Sequence, residues 1–435
     1  MVKPIKIALL GLGNVGAGVW RILQQNGAAI AGRAGGPLEI VGIAVRDVNK
    51  TRLVDVPAAL LTTDPMPLIA DPDIPIVVET IGCPGGDTGP AGRFIIEALK
   101  RGKHVVTANK EALAKHGAAF FRAAAEGGGS LYYEGAVAGG IPIVKAFKES
   151  LAANQVQTIM GIINGTTNYM LTRMDKEGLE FADVLAQAQK LGYAEADPTS
   201  DVEGHDAAYK LALLASIAFE AEINIDDVYR EGITRITAED LQSARELGFA
   251  VKLLAIAKQD ATGIEARVHP TLIPLSHPLA AVGDVFNAVF VQGDAVGDLM
   301  FYGRGAGMMP TGSAVVADCI DAALNIRRGV GAPRNGRPPE RKAIKPIEEV
   351  TARFYLNFKV IDRPGVLAAI ASILGQNNVS IESVIQKGRR QDPVGLVIVT
   401  HSVLERDIRR ALAAISELSM VRAIANVMRV EGENS

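Results

Sequence analysis

Between Gly192 and Lys210 the sequence GYAEADPTSDVEGHDAAYK sets five carboxylates and one lysine in nineteen positions, directly ahead of a strongly apolar stretch. Asp201, Asp206 and Lys210 are spaced by five and four residues, so a helix starting near Ser200 puts Asp206 and Lys210 on one face. Ser200 with Glu203 three residues on fits a capping box and predicts that start. Leu211, Leu214, Ala215, Ala218 and Phe219 then recur at helical period, which brings Lys210 in at the edge of a core. An ammonium in that position needs partners. Beside an aspartate it can be held protonated as a donor to a substrate oxygen, leaving Glu195 and Asp201 for a cationic group on the substrate. A solvated i,i+4 ion pair worth roughly 0.3–0.5 kcal/mol is the plain alternative. The apolar continuation and the extra carboxylates give the chemical reading equal weight.

Other stretches carry residues of the same kind. Ile5 to Leu10 saturates in apolar residues, as a buried parallel strand does, and runs into Gly11-Leu12-Gly13-Asn14-Val15-Gly16, with a helical pattern from Val15 to Gln25. Strand, G-x-G-x-x-G and helix in that order predict a dinucleotide site. The next strand, Leu38 to Val45, ends in Arg46-Asp47, where such folds choose between a 2′-phosphate and a ribose hydroxyl; Arg46 leans to NADP and Asp47 to NAD. Strands come next at Ile76 to Ile81 and at His104 to Thr107, the first opening into the loop of residues 82–90 and the second ending at Ala108-Asn109-Lys110. Ligands sit beyond the carboxyl ends of such strands, so Lys110 is expected to face one, against a solvated lysine opening the next helix.

A strand from Ser130 to Tyr133 leads into Glu134-Gly135-Ala136-Val137-Ala138-Gly139-Gly140-Ile141-Pro142, one carboxylate and a glycine-rich turn. That is either a bare turn or a source of hard oxygen ligands for a small cation. Gly303-Arg304-Gly305-Ala306-Gly307 precedes a helix from Thr311 to Ile326, and either approaches the cofactor or ends a strand.

A chain of 435 residues, 48% hydrophobic and 21% charged, exceeds one core and predicts about three domains. Its net charge of −3 offers no basic surplus for phosphates, which excludes nucleic acid as the main partner. Cys83 and Cys319 form neither a disulfide framework nor a zinc spacing, so a reducing, cytoplasmic setting is expected, with Cys83 a packing residue. No apolar run suits a bilayer, and the apolar start reads as a first strand instead of a signal peptide. Residues 1–135 are expected to form the α/β dinucleotide-binding domain. Residues 136–328, with strands at Val156 to Ile163, Val251 to Ala257 and Ala266 to Ile273, read as an α+β domain with helices on one face of an antiparallel sheet. Residues 329–352 lose apolar periodicity and gain proline, glycine and arginine, as a linker that frees the C-terminal segment. Residues 353–431 run strand (Arg353 to Ile361), helix (Val366 to Gln376), strands (Ile381 to Gly388, Val394 to His401), helix (Glu405 to Glu417) and strand (Val421 to Val430), a ferredoxin-like order.

VTANK at Val106 to Lys110, EGAVAGGIP at Glu134 to Pro142, NGTTNYML at Asn164 to Leu171, and GYAEADP with the D-x-x-x-x-D-x-x-x-K after it together resemble homoserine dehydrogenases with a Rossmann-like cofactor domain. Asp362-Arg363-Pro364-Gly365-Val366-Leu367 matches the strand-to-helix turn of ACT domains, and the resemblance covers nearly the whole chain. It implies an NAD- or NADP-dependent interconversion of L-aspartate 4-semialdehyde and L-homoserine, a step toward threonine, methionine and isoleucine. It implies that Lys210 is the proton donor and acceptor with Asp206 its partner, that Glu195 holds the amino end of the substrate, and that Lys110 lies between nicotinamide and substrate. Tyr193, Thr166 and Asp201 join the expected substrate contacts, and Gly303 and Gly305 the cofactor contacts. It also implies a sodium or potassium ion on Glu134 and the backbone oxygens of Val137, Gly139 and Ile141. An amino-acid effector on the ACT domain, threonine, and a homodimer or homotetramer complete the expectation.

Overall fold

The computed structural model describes residues 2–82, 88–330, 341–387 and 393–432. Cys83 and most of its loop, the middle of the expected linker, and Gly388 lie outside the described residues. The chain divides into two compact units, Met1–Val156 with Ala212–Ile225 and Gln292–Lys342, and Gln157–Leu211 with Asp226–Val291 and Ala343–Ser435. Among the described residues no helix is long and apolar enough to cross a membrane.

In the first unit β1 (Ile5–Leu10), β2 (Leu38–Ala44), β3 (Leu61–Thr62), β4 (Ile76–Glu79), β5 (His104–Thr107) and β6 (Leu131–Tyr132) form a parallel sheet in the order β3-β2-β1-β4-β5-β6. The connections hold α1 (Asn14–Ala34), α2 (Met66–Ala70), α3 (Gly89–Lys100) and α4 (Lys110–Gly127); α5 (Ile143–Lys145) comes after β6. β1 and β4 are buried along almost their whole length, as strands covered on both faces must be. The later part of the chain adds β12 (Gly297–Arg304) and α11 (Met308–Arg328) to this unit. Val19 and Ile22 of α1 and Val315, Cys319 and Ala322 of α11 pack with Ile7, Leu9, Ile43 and Val78. The two helices approach until a Cβ on Gly18 would lie 2.0 Å from the Met308 carbonyl oxygen. Gly303-Arg304 thus ends β12, as one of the two sequence alternatives had it, and the helix that follows packs on α1 of the cofactor domain. α1 also runs past Gln25 to Ala34. Gly27 and Gly32 interrupt its pattern in sequence, but Ile30 and Ala34 stay in the core and carry the helix on.

The second unit contains most of β7 (Val156–Ile162), α6 (Gly165–Glu177), α7 (Phe181–Lys190), α8 (Thr199–Val202), the first half of α9 (His205–Ala218), β8 (Tyr229–Arg230), α10 (Ala238–Glu246), β9 (Phe249–Asp260), β10 (Gly263–Pro274) and most of β11 (Phe286–Gly293). It continues with β13 (Thr351–Val360), α12 (Val366–Gln376), β14 (Ile381–Lys387), β15 (Val394–Thr400), β16 (Val403–Leu404), α13 (Glu405–Ser416) and β17 (Val421–Val430). The expected βαββαβ order is present, with Phe354, Leu356 and Phe358 packed against Ile370, Leu374, Ile408 and Ile415. Its strands do not stand apart. In this unit the order runs β11-β7-β9-β10-β17-β13-β15-β14, so β17 lies between its own partner β13 and β10 of the preceding region.

β10 and β17 are parallel, pairing Thr271 with Arg429 and Leu272 with Val430. Ile264 N–H donates to Ala343 O at 2.9 Å and Lys345 N–H to Ile264 O at 2.8 Å. The expectation that residues 329–352 free the C-terminal module is thus corrected at their described end, because backbone groups exposed on the edge of β10 are satisfied by the incoming chain.

Buried charges reinforce the seam. Arg267 is fully buried on β10 and its Nη2 lies 2.5 Å from Glu431 and 3.4 Å from Glu265, while Lys258 reaches Glu431 at 2.7 Å. Arg429 on β17 is held by Glu405 at 2.6 Å and Glu231 at 3.0 Å. Burial opposes the Glu431 charge, yet Arg267 and Lys258 hold its carboxyl down to about 2. Replacing Glu431 with Ala leaves the buried Arg267 guanidinium with only the longer contact to Glu265 and should cost about 3–5 kcal/mol in urea unfolding at neutral pH. Because the folded carboxyl titrates lower than the unfolded one, this stability is complete above pH 4.5 and is lost as pH falls towards 2, about 3 kcal/mol in all. The acid limb of the stability curve should therefore flatten in Glu431→Gln; an unchanged curve would deny the pair this role.

Candidate active site

The lysine site is assembled from four short elements of the second unit. β7 delivers Ile163 and Asn164, α6 starts on Asn164, and α8 and α9 bring Asp201, Asp206 and Lys210. The expected capping box does not form. Ser200 falls inside the one-turn α8, which has Pro198 before it and no side-chain cap, and Gly204 at φ +77° ends that turn before α9 begins at His205. Asp206 and Lys210 nevertheless share one face of α9, with Lys210 only 8% exposed.

Lys210 Nζ donates to Asp206 Oδ2 at 2.7 Å and to the Ile163 carbonyl at 2.8 Å. Among the described residues two of its three N–H groups are thereby used. Asn164 organises the carboxylates: its Nδ2 donates to Asp206 Oδ2 at 2.9 Å and to Asp201 Oδ1 at 2.7 Å, while its Oδ1 accepts from Thr167 N–H at 2.9 Å and caps α6. Burial pushes the Asp201 carboxyl upward, against the hydrogen bond from Asn164. Thr166 Oγ1 donates to the Tyr193 carbonyl at 2.7 Å, tying the first turn of α6 to the GYAEADP loop, and the Tyr193 ring meets Tyr169 edge-on at 5.0 Å. Glu195 is exposed, and its carbonyl accepts from Gln189 at 3.1 Å. The structure thus gathers Lys210, Asp206 and Asp201, and links Thr166 with Tyr193, without giving Glu195 a part in that network. The roles of the Asn164 amide and the Ile163 carbonyl were not read in sequence, although Asn164 opens the NGTTNYML motif and, with Thr167, carries the signal of an Asx N-cap directly after a strand.

The glycine turn lies in the first unit. Gly11 has φ +99° and a Cβ there would come 2.7 Å from the Thr80 carbonyl oxygen, so no other residue fits the turn. A Cβ on Gly16 would come 2.2 Å from the Gly11 oxygen, whereas one on Gly13 would meet nothing within 4 Å. Tight turn, close helix packing and open space at the middle glycine are what a bound pyrophosphate at the α1 N-terminus requires, so the residues present fit a dinucleotide. Arg46 and Asp47 are exposed just past β2, with Arg52 donating to the Asp47 carbonyl. Asn109 caps α4 by accepting from Ala112 N–H at 3.0 Å, which sets Lys110 as the first helical residue at the end of β5.

Glu134 is buried, and both its oxygens accept backbone N–H groups, from Val144 at 2.9 Å and Lys145 at 2.8 Å. Burial raises its carboxyl above the usual range against those bonds. Ala138 and Gly139 both have positive φ, folding the segment into a tight loop in which Ile141 N–H donates to Ala138 O and Gly140 N–H to Arg304 O. The Ile141 carbonyl accepts from Ile143 N–H at 2.8 Å. Val137 is fully buried, and its carbonyl finds no backbone donor among the described residues. A buried carboxylate and backbone carbonyls are oxygen donors of the kind a hard monovalent ion takes, although both Glu134 oxygens already accept backbone N–H groups here. Among the described residues there is no group of three or more His, Cys, Asp and Glu side chains able to hold a metal ion.

Residues 11–134 match the family model of the homoserine dehydrogenase NAD-binding domain, residues 142–320 that of homoserine dehydrogenase, and residues 354–419 that of the ACT domain. A homoserine dehydrogenase of Corynebacterium glutamicum is 48% identical over 434 residues, spanning 99% of this chain and 96% of that protein. One of Mycobacterium tuberculosis strain H37Rv is 45% identical over 440 residues, spanning 99% and 98%. The crystal structure of a homoserine dehydrogenase from Thiobacillus denitrificans aligns with a TM-score of 0.91 at 43% identity, covering 99% of each chain. Identity of this size along the whole length, over a fold with the same cofactor turn and C-terminal module, places the chain in the homoserine dehydrogenase family, NAD(P)-dependent oxidoreductases acting on a CH–OH group.

Proposed function

We propose that Lys210 is the acid–base group in the NAD(P)-dependent interconversion of L-aspartate 4-semialdehyde and L-homoserine. What carries the assignment is its buried ammonium, fixed by Asp206 and the Ile163 carbonyl. The nicotinamide, when bound, supplies or accepts the hydride at the carbonyl carbon. Lys210 donates a hydrogen bond to the aldehyde oxygen, steadies the negative charge that gathers there, and transfers its proton to complete the alcohol. Water then reprotonates the amine, and oxidation runs the same steps in reverse. Asp206 orients the ammonium, Asn164 orients Asp206 and Asp201, and Asp201 and Glu195 receive the substrate's amino group. Tyr193 and Thr166 shape the same pocket, and Lys110 serves the nicotinamide side. Lys210→Ala should lower kcat by about 10²–10⁴-fold with little change in cofactor affinity. Near-normal turnover in that variant would remove Lys210 from the chemistry and leave Lys110 as the candidate.

The loop from Glu134 to Ile141 is read as a sodium or potassium site, with the Glu134 carboxylate and the carbonyls of Val137, Gly139 and Ile141 as donors. The support is the buried Val137 carbonyl together with the left-handed pair Ala138 and Gly139. Turnover at constant ionic strength should rise when choline chloride is replaced by sodium or potassium chloride, and Glu134→Ala should lose that response. Identical rates in all three salts would leave the loop a turn.

The C-terminal module is read as the receptor for an amino-acid end product, threonine, at the turn from Asp362 to Leu367. Gly365 has φ +95° at the N-cap of α12 and no side chain caps that helix; Val366 N–H makes only a long bond to the Arg363 carbonyl, 3.5 Å, so the first turn suits a carboxylate. Because β17 is shared with β10, an effector there acts on strands continuous with the substrate region. Threonine should inhibit the full-length enzyme with a coupling of about 1–3 kcal/mol between effector and substrate. Calorimetric and kinetic titration with threonine, methionine, isoleucine and lysine decides the matter; no heat and no inhibition from any of them would leave the module structural.

A further inference from the structure

One buried acid has no part in the chemistry above. Glu79 ends β4 with no exposure at all, and both carboxylate oxygens are engaged. Oε1 accepts from Ile81 N–H at 2.7 Å and Oε2 accepts from Thr107 Oγ1 at 2.6 Å. Thr107 ends the neighbouring strand β5, directly opposite Glu79 in the parallel ladder, and its hydroxyl oxygen accepts from Asn109 N–H at 3.0 Å. Asn109 closes the circuit by donating from Nδ2 to the Ile81 carbonyl at 3.1 Å while its Oδ1 caps α4. The ring Glu79, Ile81, Asn109 and Thr107 therefore clamps two strand ends and the first turn of the helix that opens with Lys110. On the other side, Thr80 Oγ1 donates to the Gly11 carbonyl at 2.9 Å, so the neighbouring residue holds the glycine turn.

The clamp needs a carboxylate in particular. The groups facing it, the Ile81 N–H, the Thr107 hydroxyl whose oxygen is already accepting, and the Asn109 amide, present donors, and an ionised acid offers an acceptor to each. A glutamine would turn its NH₂ toward one of them. Packing alone gives no reason for an acid here, since burial pushes the Glu79 carboxyl up to about 7 against the hydrogen bonds that favour its charge. The fold therefore loses stability as pH rises from 4.5 towards 7, and the geometry of the clamp around Lys110 is what the acid sustains.

We propose that Glu79 is a positioning residue for the dehydrogenase reaction, acting through Thr107 and Asn109 to fix the backbone at Lys110 where it meets the nicotinamide side of the site. The proposal rests on the reading of Lys110 as an active-site residue. The experiment compares Glu79→Gln, Thr107→Val, Thr107→Ser and Lys110→Ala with the unaltered full-length enzyme. kcat and KM for homoserine are measured well below each variant's melting temperature, and cofactor binding by fluorescence titration. Glu79→Gln and Thr107→Val should lose about 10- to 100-fold in kcat, the effect of a small misplacement of a reacting group, with cofactor affinity changed less than about threefold. Thr107→Ser keeps the hydroxyl and should restore most of kcat. Unimpaired kcat in both Glu79→Gln and Thr107→Val beside an impaired Lys110→Ala overturns this proposal alone. Equal losses in Thr107→Ser and Thr107→Val also overturn it, because the hydroxyl would then be irrelevant. An unimpaired Lys110→Ala overturns the Lys110 reading and this proposal with it.

Discussion

A lysine ammonium withdrawn from water must be met by acceptors, and that requirement organises the region around Lys210. One acceptor is a carboxylate four residues earlier on the same helix, and the other is the carbonyl where β7 ends. Neither would stay in place unaided. Asn164 spends both amide hydrogens on Asp201 and Asp206 and its oxygen on the first turn of α6, so one side chain fixes two acids and a helix start together. The break at Gly204 matters for the same reason: it lets α8 hold Asp201 and α9 hold Asp206 at different inclinations toward a single amide. The setting of the lysine is thus a property of four segments meeting, each of which satisfies a polar group that burial would otherwise leave at a cost of a few kcal/mol.

How much of this is legible in sequence depends on how local the cause is. The glycine turn after β1, Asp206 four residues before Lys210, and the βαββαβ order are written in short-range pattern and stand in the structure as read. The capping box at Ser200 failed because Pro198 and Gly204 dictate a single turn there, a preference stronger than the Ser200 and Glu203 pairing. The end of α1 was missed because two glycines hide a helix that tertiary packing sustains. The Asn164 bridge and the Glu79 clamp join positions 37, 42 and 28 residues apart, and no window of local periodicity could connect them.

The seam between β10 and β17 illustrates the same limit on a larger scale. Composition around residues 329–352 suggested freedom, and composition is a fair guide when the flanking strands have complete partners. β10 does not; its far edge accepts the returning chain at Ile264 and takes β17 beyond it. The pairs of Arg267 with Glu431 and Arg429 with Glu231 then make separation expensive, since each joins the C-terminal segment to the region before it and would leave an arginine short of a counterion. A shared sheet is a stiff connection. A change of twist in the C-terminal strands therefore has a mechanical route into the strand next to β9, and through β9 to β7, whose end supplies the carbonyl under Lys210.

The interior place of β17 also governs how the chain is made. Synthesis delivers β10 long before β17, and the ribosome must release residues as far as 430 before the gap between β10 and β13 can be filled. Until then a long, apolar strand carries one open edge and a buried-type arginine without its acid. Non-local pairing of this kind is slow to form and exposed to mispairing while it waits. The sheet of the substrate region is thus held back from its final state until the C-terminal strands exist, so its last neighbour arrives only at the end of synthesis.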